Sequence, residues 1–296
     1  MPAPERIPAR RMTDAEGPPV PLVPARYPGP AGPPSVADAE LLSRGELTVR
    51  GQIHEASNAV LLCSVAHRGR RAECVYKPVA GEQPLWDFPD GNLARREVAA
   101  YAVSEATGWG LVPPTVLRDG PYGEGMVQLW IEADPGASLL ALTEDEQAGE
   151  GWKAVGPAQV GADRTALLVH ADSPVLRRLA VLDAVINNGD RKGGHLLPAS
   201  DGRLYAIDHG VTFHVEDKLR TLLWGWSGER LPTEAVEVLA DLATALEPGA
   251  PLATRLAELL TAAEVDALRA RVDALRAAGR HPEPSGRWPA IPWPPV

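Results

Sequence analysis

Two aspartates, Asp190 and Asp208, frame the stretch INNGDRKGGHLLPASDGRLYAIDHG, with Arg191, Lys192, His195 and His209 beside them. An apolar helical run leads into Asp190, and a short strand-like run, RLYAIDHG, delivers Asp208. A hairpin between the two brings both carboxylates to one place. Phosphoryl transfer asks for a similar set: a cation on the phosphates, a group holding that cation, a residue orienting the acceptor, and an acidic metal ligand. Lys77, inside the apolar run CVYKPV, is a costly residue to bury without a partner. Glu97 falls four residues after Leu93 and four before Tyr101, within a helix's apolar stripe, so it is the partner expected for Lys77. Asp190 then orients the acceptor proton, and Asp208 binds metal.

The elements that position these residues fall into two sets. The first is strands: GELTVRGQI, NAVLLCSVAH and RAECVYKPV, then LVPPTVLRDG and EGMVQLWIE. One helix, 93–107, interrupts them after the loop AGEQPLWDFPDG, capped by Asp90 or Asn92 and stopped by Gly108. The second set is mainly helical. Val175, Leu179, Leu182 and Ile186 form a stripe behind Pro174, with Ser173 or Asp172 as cap and Gly189 as terminator. Helices follow over 233–247 and 252–278, while 142–172 reads as a polar, irregular connection. The fold expected is α+β and two-lobed. Residues 38–131 make an antiparallel β lobe with one helix, and 132–279 a mainly helical lobe. Proline density marks 1–37 as an extended arm and 280–296 as a Pro/Trp-rich tail. In that tail Trp288 and Trp293 serve either as docking anchors or as plugs packed back on the chain.

VLDAVINNGDRKGGHLL followed by YAIDHG resembles the catalytic and metal loops of the phosphatidylinositol 3-/4-kinase-like family. Asp183, Asn188, Asp190 and Arg191 match the first loop, and Ile207, Asp208 and Gly210 the second. YKP, REVAAYAVSEATGWGLVPPTVL and GMVQLWIE resemble, in order, that family's lysine strand, the helix and strand after it, and its hinge. The resemblance covers most of 45–245 and points to a bacterial, actinobacterial kinase-like branch. It implies a protein-kinase-like fold and an ATP-dependent kinase using Mg²⁺ or Mn²⁺. Lys77 and Glu97 then serve the phosphates, the backbone of Gln128, Leu129 and Trp130 meets adenine, Asp190 and Arg191 form the catalytic loop, and Asp208 chelates metal. Lys218, Arg220 and Trp224 lie where such kinases bind substrate.

Two departures stand out. His195 replaces the family's metal-binding Asn, and imidazole suits Mn²⁺ or Zn²⁺ better than Mg²⁺. The phosphate-covering loop GQIHEASNA has only Gly51 and offers Ser57 instead of a glycine run. A catalytically degraded, nucleotide-binding scaffold is therefore the second reading. A metal-dependent hydrolase built on His54, His170, His195, His209 and His214 is the third. The net charge of −10 argues against nucleic acid or an anionic membrane, and no apolar run is long enough to span a bilayer. Cys63 and Cys74 lack disulfide or metal spacing, which fits a reducing cytoplasm. The expected partners are a nucleotide and a protein or small soluble acceptor.

Overall fold

The computed structural model describes residues 36–53, 58–88, 92–134, 136–159 and 164–294. Residues 1–35 of the proline-rich arm, His54, Ser57 and Asp90 lie outside them, while 36–37, expected to extend the arm, begin a helix. The fold is α+β and two-lobed. Strands β1 (Glu46–Ile53), β2 (Val60–His67), β3 (Arg70–Pro78), β4 (Thr115–Gly120) and β5 (Gly123–Leu129) form one antiparallel sheet in the order β1-β2-β3-β5-β4. Helix α1 (Val36–Arg44), which sequence reasoning missed, plugs Leu41 and Leu42 against Val65, Tyr76 and Val127. Gly45 ends α1 so close to β2 that a Cβ there would strike Val65 and the Leu41 carbonyl.

Helix α2 (Leu93–Thr107) starts at Asn92, whose side chain accepts the Arg95 N–H at 2.8 Å, and ends at Gly108 in a left-handed conformation (φ 68°). Its apolar residues, among them Val98 and Val103, join the large core of the helical lobe, whereas α1 and the sheet keep a smaller core of their own. A buried Arg96–Glu264 ion pair reinforces that attachment, and Arg96 also donates to the Thr212 carbonyl at 2.7 Å. The helix carrying Glu97 is thus part of both lobes.

Helix α3 (Pro174–Ile186) forms as its stripe requires, but its terminator is Asn187 rather than Gly189. Asparagine tolerates the left-handed conformation (φ 53°), and its side chain then bonds the His214 and Glu216 carbonyls at 2.9 and 2.6 Å. The expectation for 142–172 fails. That region is a three-stranded sheet of β6 (Leu140–Thr143), β7 (Trp152–Gln159) and β8 (Thr165–Ala171), ordered β6-β8-β7. Gly156 and Pro157 sit beside a register shift in β7, which broke the alternation that would have revealed a strand. After β9 (Leu196–Pro198) and β10 (Leu204–Ala206), the chain ends in α4 (Thr233–Ala245), α5 (Pro251–Ala257) and α6 (Ala262–Ala278). The long final helix expected over 252–278 is split because Thr261 and Glu264 form a reciprocal capping box that starts a new helix. Among the described residues no helix is long and apolar enough to cross a membrane.

The described tail is docked. The Ala290 carbonyl accepts from the Thr221 amide at 3.1 Å and from the Trp224 indole at 2.8 Å, while Trp293 stays exposed. His281 is buried, and its Nε2 accepts from Arg177 Nε at 3.2 Å. His170, fully buried, accepts the Gly225 N–H on Nε2 at 3.1 Å. Burial lowers both imidazoles to about 4. Between that value and the ordinary 6.5 the unfolded chain binds protons that the folded chain refuses, so stability is full above about pH 6.5 and falls as pH drops. Each histidine adds a slope of roughly 1.4 kcal/mol per pH unit in that window. Urea midpoints should fall steadily from pH 7 to pH 5, and His281→Gln should flatten the slope.

Candidate active site

Strand β3 carries Lys77 opposite Met126 of β5 and aims it at α2. Its Nζ lies 2.8 Å from Glu97 Oε1 and also pairs with Asp208 Oδ1. Burial alone would lower the lysine's pKa, but the Asp208 and Glu97 carboxylates overcome it and hold the ammonium well above its usual range. The second oxygen of Glu97 accepts the His209 N–H at 2.9 Å. One buried glutamate therefore ties the strand lysine to the backbone that follows Asp208.

The β9–β10 hairpin, with Leu196 opposite Ala206, sets the two loops side by side. The Ile207 N–H donates to the His195 carbonyl at 3.0 Å, so His195 and Asp208 are neighbours, with Nε2 3.6 Å from Asp208 Oδ2. Asp208 itself is left-handed (φ 59°), a conformation costing about 1–2 kcal/mol in ordinary residues and tolerated best by Asn and Asp. Burial works to raise its pKa, yet Lys77 and His195 hold it well below the usual carboxylate range.

Beneath this floor, Arg191 and Asp183 are both fully buried. The guanidinium meets the Asp183 carboxylate at 2.9 Å through both Nε and Nη2. It also donates to the Ile207 carbonyl at 2.8 Å and contacts His209 Nε2 at 2.7 Å. Asn188 bonds Asp183 at 3.0 Å and accepts the Asp190 N–H at 2.9 Å, which fixes the loop that presents Asp190. Burial raises the Asp190 pKa, while Lys192, at 3.2 Å, and Arg220 oppose the rise. His195 takes the Lys192 N–H on Nδ1 at 3.3 Å, and burial depresses its pKa to about 4.

A cavity of about 360 Å³ between the lobes is lined by Lys77, Glu97, Asp190, Lys192, His195 and Asp208, among others. Several sequence expectations lie elsewhere. Arg191 cannot touch a ligand, because it is sealed beneath the floor as Asp183's partner. Gln128, Leu129 and Trp130 do not line the cavity. The Gln128 side chain bonds Thr115 at 2.9 Å, and the Leu129 and Trp130 amides already donate to Pro114 and Glu73 carbonyls at 2.9 and 3.0 Å. Lys218 is buried against Asp87 at 2.8 Å, with the Trp288 ring 4.6 Å from its ammonium. Trp224 is buried beneath the tail. Arg220 lies beside the loop that carries Asp190, its Nε bonding the Gly189 carbonyl at 2.7 Å. Lys192 and Glu82 were missed. Lys192 sits two residues after Asp190, so a cation facing the same cleft was readable from the loop. Nothing in the sequence marks Glu82, which accepts the Leu93 and Ala94 N–H groups at 2.9 and 2.8 Å and so caps the helix that carries Glu97.

A β lobe and a helical lobe facing each other across a lysine, a helix glutamate and two loop aspartates define a two-lobed, kinase-like fold. No family model matches the chain. It is 49% identical over 263 residues to Protein Rv2133c of Mycobacterium tuberculosis, a match spanning 86% of this chain and 94% of that protein. The chain belongs to the family of Protein Rv2133c. Among solved structures it is similar to hydra Fam20 with sugar, at a TM-score of 0.51 and 15% identity over 81% of this chain and 86% of that one. The Golgi casein kinase gives a TM-score of 0.49 and 13% identity, covering 82% of this chain and 73% of that one.

Removing Arg191 strands the Asp183 carboxylate in a site sealed from solvent. Arg191→Met should cost about 3–5 kcal/mol, the usual penalty for breaking a buried pair from one side. Denaturant titration measures it, and a loss below about 1 kcal/mol would show that the pair is not what holds the floor together.

Proposed function

We propose that this chain is an ATP-dependent phosphotransferase of the phosphatidylinositol 3-/4-kinase-like type, working in the cytoplasm on a protein or small soluble acceptor. The observation that carries the reading is the meeting of Lys77, Glu97, Asp190 and Asp208 around one cavity, from four separate elements. Lys77, oriented by Glu97, holds the nucleotide phosphates. Asp190 accepts the acceptor's hydroxyl proton, and its raised pKa suits it to that task. The acceptor oxygen forms a bond to the γ-phosphorus while the bond from that phosphorus to the bridging oxygen breaks, and ADP leaves.

Asp208 is a hard oxygen donor with a side chain 44% exposed, which fits a divalent cation that keeps most of its ligands as phosphates and waters. Bound there, Mg²⁺ or Mn²⁺ would supply positive charge against the charge developing on the phosphate oxygens. The metal-hydrolase reading finds no support in the geometry. Among the described residues no three His, Cys, Asp or Glu side chains gather to hold a metal, and His170 and His209 are buried in internal contacts. His54 lies outside those residues.

Calorimetric titration of ATP with Mg²⁺, with Mn²⁺ and with EDTA tests the reading. Metal-dependent binding should vanish in Lys77→Met and in Asp208→Asn. Asp190→Asn should keep nucleotide binding and lower transfer by roughly 10² or more. Loss of transfer on acidification should begin above the ordinary carboxylate range, because Asp190 must be ionised to take the proton and burial has raised its pKa. Binding without any turnover in the wild type would favour the degraded scaffold. No nucleotide binding under any metal would end the phosphotransferase reading.

A further inference from the structure

The stretch 218–231 runs beside Asp190, and both of its edges are taken. On one side the Arg220 N–H donates to the Asn188 carbonyl at 2.9 Å, and the Arg191 N–H to the Arg220 carbonyl at 3.0 Å. The stretch is thus bonded to the loop that carries Asp190. On the other side lies the chain's own tail. The Thr221 N–H and the Trp224 indole both donate to the Ala290 carbonyl, at 3.1 and 2.8 Å. Farther along, the His281 N–H donates to the Glu229 carbonyl at 2.9 Å, and the Gly228 and Leu231 N–H groups donate to the His281 and Gly279 carbonyls at 3.2 and 2.9 Å. The tail therefore runs antiparallel to 221–231, in the place an added peptide strand would take.

The side chains are occupied as well. The Trp288 ring lies 4.6 Å from the Lys218 ammonium, which also meets Asp87 at 2.8 Å. Leu222, Leu223, Trp224 and Trp226 are buried. Backbone donors, cation and apolar groups that could hold a polypeptide next to Asp190 are spent within the chain. The approach left open is the cavity itself, whose wall includes Leu85, Leu93 and Val211 besides Asp190. Its volume of about 360 Å³ falls at the small end of the range of about 300–1,000 Å³ that small-molecule sites span. The nucleotide's phosphates must share that space, so a polypeptide, which has to lead its chain in and out again, does not fit.

We propose that the acceptor is a small hydroxyl compound with an apolar flank, taken into the cavity against Leu85, Leu93 and Val211, and not a polypeptide. The proposal rests on the phosphotransferase reading above and narrows its acceptor. The hydroxyl oxygen bonds to the γ-phosphorus, its proton passes to Asp190, and the bridging oxygen leaves on ADP with the bonding pair. A carbon skeleton against the apolar wall also displaces water, the acceptor that would otherwise compete.

The test follows ADP formation from ATP and a divalent cation with two kinds of probe. One is a panel of two- to eight-carbon diols, hydroxy acids and sugars, and the other a mixture of peptides carrying Ser, Thr and Tyr. At least one panel member should speed ADP formation by roughly tenfold or more, and the peptides should not. Leu85→Trp, or Leu85→Phe should that variant fail to fold, should cut the accelerated rate by roughly 10²-fold and leave ADP affinity nearly unchanged. With the tail docked, the Thr221 amide should exchange with solvent on the order of a hundredfold more slowly than an unbonded amide. Transfer to peptides at or above the panel's rate, a panel without effect, or a Thr221 amide exchanging at the free rate overturns the proposal, and ATP binding with metal then shows that the nucleotide site still stands. Loss of ADP affinity in the Leu85 variants equal to the loss of rate also overturns it, by giving that wall to the nucleotide. No ATP binding under any metal overturns both readings.

Discussion

The buried pair of Asp183 and Arg191 is the constraint on which the cleft depends. Two charges withdrawn from water gain little net stability, because desolvation offsets most of their attraction. What they enforce is position. The Arg191 guanidinium fixes α3 through Asp183, the strand end through the Ile207 carbonyl, and His209 through Nε2. His209 in turn donates its backbone N–H to Glu97, and Glu97 holds Lys77. A displacement anywhere along this chain leaves a buried charge or donor unpaired, at a cost of several kcal/mol. The groups lining the cleft are therefore held to one geometry by the penalty for leaving it.

The same logic explains why α2 is welded to the helical lobe. Glu97 is buried and takes its second hydrogen bond from the opposite lobe. Arg96 reaches Glu264 and Thr212, and Arg95 donates to the Glu258 carbonyl at 3.0 Å. Three consecutive residues thus face groups at the end of α5, the start of α6 and the loop beyond Asp208. A helix anchored at so many points has little freedom to swing its glutamate away from the lysine.

How much of this was legible in the sequence depended on how local the determinant was. Lys77 and Glu97 were readable because a charge within an apolar pattern demands a partner, and the two patterns implicate each other. Asp190 and Asp208 were readable because a helix end and a strand end were each marked by neighbouring residues. Arg191 was expected to act in the same loop as Asp190, and nothing local shows that its partner lies eight residues back and wholly buried. Lys218 and Trp224 look like ligand-binding residues in a polar segment. Asp87 and the Ala290 carbonyl, which engage them, come from distant parts of the chain. The sheet of β6, β7 and β8 was hidden for a different reason: Gly156 and Pro157 interrupt the alternation by which a strand is recognised.

Almost every charge described in the cleft already has an internal partner, and on the proposed reading that would limit how phosphate enters. Lys77 bridges Glu97 and Asp208, and Lys192 holds Asp190. A polyphosphate arriving alone would meet two carboxylates and win the lysines only by leaving those carboxylates without cations. Arriving with a divalent cation, it exchanges partners instead. On the proposed reading, Asp208 would pass from Lys77 to the cation and Lys77 from Asp208 to the phosphate, with Glu97 keeping Lys77 oriented. Neither Lys77 nor Asp208 would then be left without a partner, which lowers the cost of the exchange in a partly desolvated cleft. On the proposed reading, the ion pair between Lys77 and Asp208 would make nucleotide and metal binding interdependent, because each would supply the partner that the other displaces.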